Sequence, residues 1–313
     1  MTTFGLQLPN FGFGVPDDQL FDAVVDRAVA GEESGFRSLW VMDHFYQLPA
    51  LGGSDQPMLE AYTLLGALAA RTTTAQLGTL VTGVTYRNPA MLAKIVTTLD
   101  VISKGRAILG IGAAWHDEEH EGLGFTFPPV KERMDRLEEA LQICRAMFAA
   151  DHTSFAGTYY RTDDARNLPR PIQAGGPKIM VGGGGEKRTL KLVAQYADAC
   201  NLHGDPDAIR HKIDVIHRHC AEVGRDPAEI TITRLATLMV TGSAQQTGEI
   251  ESFLGRAAGA DAVAGSNVGQ PHEIVEQVHL LADAGVDELI FNMPLADADG
   301  VRQAGELFTS AFS

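Results

Sequence analysis

The sequence predicts an α/β chain folded as a closed TIM-type (β/α)8 barrel with loop insertions at its C-terminal face, and three observations predict it. Eight short apolar runs alternate with amphipathic helical stretches from one end of the chain to the other. Most of these runs lack strict polar–apolar alternation, as strands covered on both faces do. Gly35, Gly224 and Gly285 each follow a helical stretch and precede a strand or turn, the punctuation of a βα repeat. At 313 residues there is room for one barrel with insertions, so a single domain over residues 1–313 is expected. An open doubly wound sheet is the alternative, because periodicity does not show closure.

The first strand is Phe4–Pro9, preceded by neither the basic start nor the long apolar run of a signal peptide. Helical spacing over Asp17–Gly35 leads to a second strand, Ser38–Met42, and the apolar stretch Leu59–Thr72 to a third, Gln76–Thr82. Gly78 and Gly83 around that β-branched run point to a bulge or a close backbone approach. Asn88-Pro89 opens the helix Pro89–Ser103, which precedes the strand Ala107–Ile111 and the helix Lys131–Phe148. The strand Lys178–Gly182 runs through a glycine loop into a helix expected over Glu186–Tyr196. Then come the strand Ala199–Leu202, the helix Asp207–Val223, the strand Ile230–Val240, the helix Pro271–Gly285 and the strand Glu288–Met293. Phe45–Met58, His116–Val130, Ala149–Gly176 and the Gly/Ala-rich Gly255–Gly269 exceed ordinary loop length. Insertions of this kind cap a site or make an interface.

The formal charge of −15 argues against nucleic acid or an anionic membrane as partner, and no stretch is apolar enough to span a bilayer. Cys144, Cys200 and Cys220 have no metal-like spacing and sit among apolar or helical neighbours. Reduced core thiols and a cytoplasmic location are expected. His116-Asp-Glu-Glu-His120 is no metalloprotease helix, because Asp117 stands where the glutamate belongs. His217 and His219 lie on a polar helical face, so no metal is expected. Neither a G-x-S-x-G elbow nor a G-x-G-x-x-G fingerprint in the first βαβ unit occurs.

Two places remain for chemistry. Val181-Gly-Gly-Gly-Gly185 joins an apolar strand to a helix, and a glycine run there frees backbone N–H groups for an anion. Val181, Gly182, Gly183, Gly184 and Gly185 are therefore the candidate phosphate site, with Lys178, Lys187 and Arg188 as flanking cations; a tight, empty turn is the competing reading. Asp43-His44 ends the second strand, at the mouth of a barrel, where catalysis is found. His44 can exchange a proton near neutral pH, and Asp43 can polarise its surroundings. Gly110-Ile-Gly-Ala-Ala-Trp115 ends the fourth strand with small residues, Gly112, Ala113 and Ala114, that give a ligand room.

In this order the pieces resemble the luciferase-like monooxygenase superfamily, and within it the oxidoreductases that use the deazaflavin coenzyme F420. The matching stretches are Phe4–Asn10, Leu39–His44, Leu77–Thr82 with Arg87-Asn-Pro89, Ser103–Gly112 with Trp115, and Gly182–Leu190 with Tyr196-Ala-Asp198. The resemblance runs to about Asn201 and then thins. It implies a barrel whose C-terminal mouth holds the tricyclic ring. A non-prolyl cis peptide at Leu80–Val81, beside Thr82, would back the ring, and the coenzyme phosphate would lie on the glycine run. It also gives His44 the proton-transfer role and implies hydride transfer between coenzyme C5 and a small alkene, imine, carbonyl or alcohol. Arg87, Arg166, Arg170 and Lys187 are candidates for the anionic coenzyme tail, and Leu59–Ala70 for a homodimer face. Leu48 and Trp115 replace a tryptophan and an acid of the sugar-phosphate dehydrogenases, and Ala114 replaces a glycine, which narrows the ring site. A two-component monooxygenase using FMN and a non-catalytic flavin carrier are the alternatives.

Overall fold

The computed structural model describes residues 2–258, 263 and 265–312. All eight expected strands form. They are β1 (Thr3–Leu8), β2 (Ser38–Val41), β3 (Gln76–Thr79) with its continuation β4 (Thr82–Gly83), and β5 (Ala107–Gly112) in the first half. After an antiparallel hairpin, β6 (His152–Ala156) and β7 (Arg161–Arg166), come β8 (Lys178–Gly182), β9 (Ala199–Leu202), β10 (Thr231–Val240), β11 (Ser266–Gly269) and β12 (Glu288–Asn292). The parallel order β1-β2-β3-β5-β8-β9-β10-β12 returns to β1 through pairs such as Phe4 with Leu289, so the sheet is a closed barrel rather than an open one. The extra strand β11 pairs with the C-terminal part of β10, Thr237–Val240.

Around the barrel lie α1 (Leu20–Ser34), α2 (Ala61–Ala69), α3 (Pro89–Ser103), α4 (Asp117–Leu123), α5 (Val130–Ala149), α6 (Thr189–Tyr196), α7 (Pro206–Val223), α8 (Ala244–Ala258), α9 (Pro271–Asp283) and α10 (Ala298–Phe312). Their starts are chemically specified: Asn88 accepts from Ala90 N at 2.9 Å ahead of Pro89, and Asp205 accepts from Ala208 N at 2.8 Å ahead of Pro206. Apolar side chains pack in two places. One layer fills the space between strands and helices, and a smaller cluster of Trp40, Leu80, Ile108, Met180, Ala199 and Ile290 fills the barrel itself. Beneath it, Trp40 Nε1 donates to Ser38 Oγ at 2.6 Å and Ser38 donates to the buried Glu288 carboxyl at 2.5 Å.

Several expectations change. The helix after the glycine run starts at Thr189 rather than Glu186, because the Glu186 carbonyl accepts from His219 Nε2 at 2.8 Å and its carboxylate is held by Lys212 at 2.6 Å. His219 is half-buried there. Ala149–Gly176 contains the β6–β7 hairpin, whose turn is pinned by Glu139 accepting from the Thr158, Tyr159 and Tyr160 amides at 2.6, 3.0 and 2.9 Å. Within His116–Val130, α4 forms. Of Gly255–Gly269, the start completes α8 and the end is β11; residues 259–262 and 264 lie outside the described residues. Tyr62, Leu64, Leu65 and Leu68 of α2 are buried in the chain's own core, and of Leu59–Ala70 the apolar residues Leu59 and Ala67 are half-buried and Ala70 is exposed. The three cysteines are buried and unpaired. Among the described residues no helix is long and apolar enough to cross a membrane.

Candidate active site

A cavity of about 790 Å³ opens at the C-terminal ends of the barrel strands, within the size range of small-molecule sites. Its floor is the break between β3 and β4, where Leu80–Val81 is a cis peptide, as the resemblance implied. The break is fastened from several sides. Leu80 N donates to Val41 O at 2.8 Å, and Gln7 Nε2 donates to Leu80 O at 3.2 Å. Thr82 shares its hydroxyl with Thr79 and Tyr62, both at 2.7 Å. The glycines nearby serve this break. A Cβ on Gly110 would collide with the Thr79 carbonyl, and one on Gly112 or Gly182 would meet Val81 methyls at 2.9 Å. Gly112 and Gly182 therefore make room for Val81 while also lining the cavity, and Gly110 makes room for the Thr79 carbonyl.

On one wall, His44 donates Nδ1–H to Glu119 Oε1 at 2.7 Å, which leaves Nε2 without a protein partner among the described residues. Glu119, fully buried at the start of α4, also accepts from Phe45 N at 2.6 Å and from the Tyr86 hydroxyl. Burial works to raise its pKa. The bonds from His44, Tyr86 and Phe45 outweigh burial and leave the carboxyl at about 2. An ionised partner of this kind fixes the imidazole tautomer and stabilises a positive charge on the ring. Trp115 and His116 meet the His44 ring edge-on, each at 5.6 Å. His120 does not join them: its Nδ1 donates to His116 O at 2.6 Å and its Nε2 accepts from Thr85 at 2.7 Å.

Asp43 is buried beside this pair. Its Oδ2 takes Arg87 Nη1 at 2.7 Å and Gly83 N at 3.3 Å, while Oδ1 has no partner. Burial raises its pKa against the pull of Arg87. Arg87 bridges on to Glu60 at 2.6 Å, so it is a buried strut and no part of an open groove. Arg166 and Arg170 are tied to Asp164 and Asp151 on or beside the β6–β7 hairpin, which contributes nothing to the cavity lining.

On the opposite wall lie Gly182–Gly185. Gly183 has φ +116°, which favours glycine, and Gly184 and Gly185 present backbone with only Lys212 and Thr189 near their missing side chains. Val181 is not there. Alternation along β8 turns Met180 and Gly182 inward and buries Ile179 and Val181 under the helices. Lys178 starts β8, at the other end of the barrel, and Arg188 pairs with Asp135 at 2.7 Å. Lys187 is exposed, and Lys212 is the cation that reaches the glycines. The cavity thus gathers His44, Asp43, Leu80, Val81, Thr82, Gly112, Ala113, Ala114 and Gly182–Gly185. Sequence reasoning missed Glu119, Tyr86 and Lys212. The first sat inside the tempting His-x-x-x-His string, read only as a possible zinc motif.

Comparison with known proteins agrees with this geometry. The family profile described as luciferase-like monooxygenase matches residues 2–254. A protein of Nocardia farcinica named F420-dependent glucose-6-phosphate dehydrogenase is 32% identical over 304 residues, covering 87% of this chain and 88% of its own. One of the same name from Kineococcus radiotolerans is 29% identical over 301 residues, with 88% of each chain covered. Among solved structures, an F420-dependent secondary alcohol dehydrogenase in complex with an F420-acetone adduct superposes with a TM-score of 0.84 at 19% identity, covering 100% of this chain and 99% of that one. Barrel, bulge and profile together make this chain a member of the luciferase-like monooxygenase family, in its branch of coenzyme F420-dependent oxidoreductases.

Proposed function

We propose that the chain uses coenzyme F420 for reversible hydride transfer to or from a small organic substrate, with His44 moving the accompanying proton. The observation that carries this reading is the His44–Glu119 pair at the cavity wall, facing space with Nε2 unoccupied. The residues present fit the coenzyme. Leu80, Val81 and Thr82 offer the surface for a flat ring, and the partnerless, buried Asp43 Oδ1 awaits an N–H donor of the kind a deazaflavin pyrimidine edge carries. Gly183–Gly185 with Lys212 suit its phosphate. When bound, the coenzyme supplies or accepts the hydride at C5.

The chain's own part is positional and protonic. Neutral His44, its Nδ1–H fixed on Glu119, presents Nε2 as the base for an alcohol proton. The imidazolium so formed keeps Glu119 as its counter-charge. In the reductive direction the same Nε2–H is the acid that protonates the developing alkoxide. Trp115, Leu48 and Leu51 give the mouth an apolar lining.

Fluorescence titration of the purified chain with oxidised coenzyme F420 and, in parallel, with FMN tests the reading. Tight deazaflavin binding with weak FMN binding supports it, whereas preference for FMN moves the chain to the monooxygenase chemistry. His44→Ala is expected to lower kcat by about 10²–10⁴-fold with coenzyme affinity unchanged. Unaltered turnover removes His44 from the mechanism. The reading includes a cytoplasmic location, supported by three unpaired buried thiols, and a homodimer. Met91 and Ile102, exposed on α3, are apolar residues left over for an interface. A monomeric mass by light scattering removes the dimer.

A further inference from the structure

Away from the glycine run, the cavity is built without cations. No Lys or Arg lines it among the described residues; Arg256, two residues beyond the lining Leu254, is exposed on α8 and donates to Ser252 Oγ. Leu48, Leu51, Trp115, Leu235, Met239 and Leu254 supply an apolar surface, and on β10 the alternation of Leu235, Thr237 and Met239 turns these three toward the opening. The polar groups there are neutral: Asn201, Thr237, Ser266 and Asn292. His203 is neutral as well, since burial and the neighbouring Arg234 hold its pKa below the usual histidine range.

The cations behind the wall are already engaged. Arg87 is held by Asp43 and Glu60, and Lys212, which pairs with Glu186, stands at the glycine run assigned above to the coenzyme phosphate. Arg234 is 2% exposed and donates to Gly204 O at 2.9 Å and Asn267 Oδ1 at 3.0 Å. Among the described residues Asp43 is the one carboxylate in the lining and already holds Arg87, and the overall charge of −15 repels anions. An anionic group entering here would lose hydration with no counter-charge to replace it.

Resting on the coenzyme F420 reading above, we propose that the substrate is an uncharged, mainly apolar alcohol or carbonyl compound, and that phosphorylated sugars are excluded even though the relatives described above are named for one. In oxidation the alcohol carbon gives its hydride to the coenzyme and the hydroxyl gives its proton to His44 Nε2. Reduction reverses both transfers.

Calorimetric titration of the chain, with and without coenzyme F420, tests this with cyclohexanol, 1-phenylethanol and geraniol against glucose 6-phosphate at fixed ionic strength. At least one neutral probe is expected to bind saturably and roughly tenfold or more tighter than the sugar phosphate, and Met239→Lys is expected to shrink that ratio. Glucose 6-phosphate binding as tightly as the best neutral probe overturns the proposal, and so does saturable binding of none of the four. Failure of the coenzyme to bind is read separately, in titrations without substrate. It would sink the F420 reading, while the preference of the unloaded cavity is measured in its own right.

Discussion

At the scale of single residues, the pair of His44 and Glu119 carries the most consequence. Glu119 sits at about 2 when folded against an ordinary 4.5, so its contribution to stability is present above pH 4.5 and is lost as pH falls toward 2. The shift corresponds to something of order 3 kcal/mol. Glu119→Gln should therefore flatten the acid limb of a Tm-against-pH curve between those values. It should also cut kcat by about 10–100-fold with KM nearly constant, because the residue positions His44 without facing substrate. An acid limb identical to that of the parent chain would show that the carboxylate is not held as described. Ala114 offers a second test. It adopts φ +60°, a left-handed conformation that costs a residue with a Cβ about 1–2 kcal/mol. Ala114→Gly should therefore raise stability by up to about 1 kcal/mol in denaturant unfolding, after glycine's greater unfolded-state entropy is deducted.

At the scale of elements, the interrupted strand β3–β4 and its neighbours β5 and β8 form one device. Val81 projects into space vacated by Gly112 and Gly182 on two adjacent strands, so the glycines of the sequence motifs are partly explained by packing against protein. Gly182→Ala is expected to cost about 1–3 kcal/mol and to weaken coenzyme binding, because the methyl group must displace Val81 at the cavity floor. Gly184→Ala, whose methyl would make only an ordinary contact with Lys212 Cε at 3.8 Å, should leave stability within about 0.5 kcal/mol. Equal losses in both variants would argue that the glycines act only through backbone freedom. The sequence showed that something unusual happens around Gly78 and Gly83, but a string of residues does not show which neighbour a missing side chain makes room for. The start of α6 teaches the same lesson. Helical spacing over Glu186–Tyr196 is real, yet the first turn is lost to bonds from Lys212 and His219 on α7, a different element.

At the scale of the whole molecule, the barrel has a reactive mouth and a sealed floor. Glu288 is buried in that floor, and burial raises its pKa against the help of Ser38 and Lys178. A raised carboxyl costs stability as pH climbs above the unfolded value, so Glu288→Gln should raise Tm at pH 7–8 and converge with the parent near pH 4.5, leaving turnover intact. A variant less stable at every pH would mean that the carboxylate is needed as an ion. The sequence by itself determined the eight strands, most of the helices and the places where a ligand could approach. Those depend on local periodicity, capping and glycine placement, which neighbouring residues specify. Only the tertiary structure decided that β12 returns to β1, that Glu119 comes from 75 residues away to hold His44, that Val181 faces away from the cavity, and that Lys178 lies at the other end of the barrel. It also decided that Arg87 is spent on Asp43 and Glu60. Pairing across a closed barrel and the partner of a buried charge are set by distance in space. Separation along the chain does not encode either one.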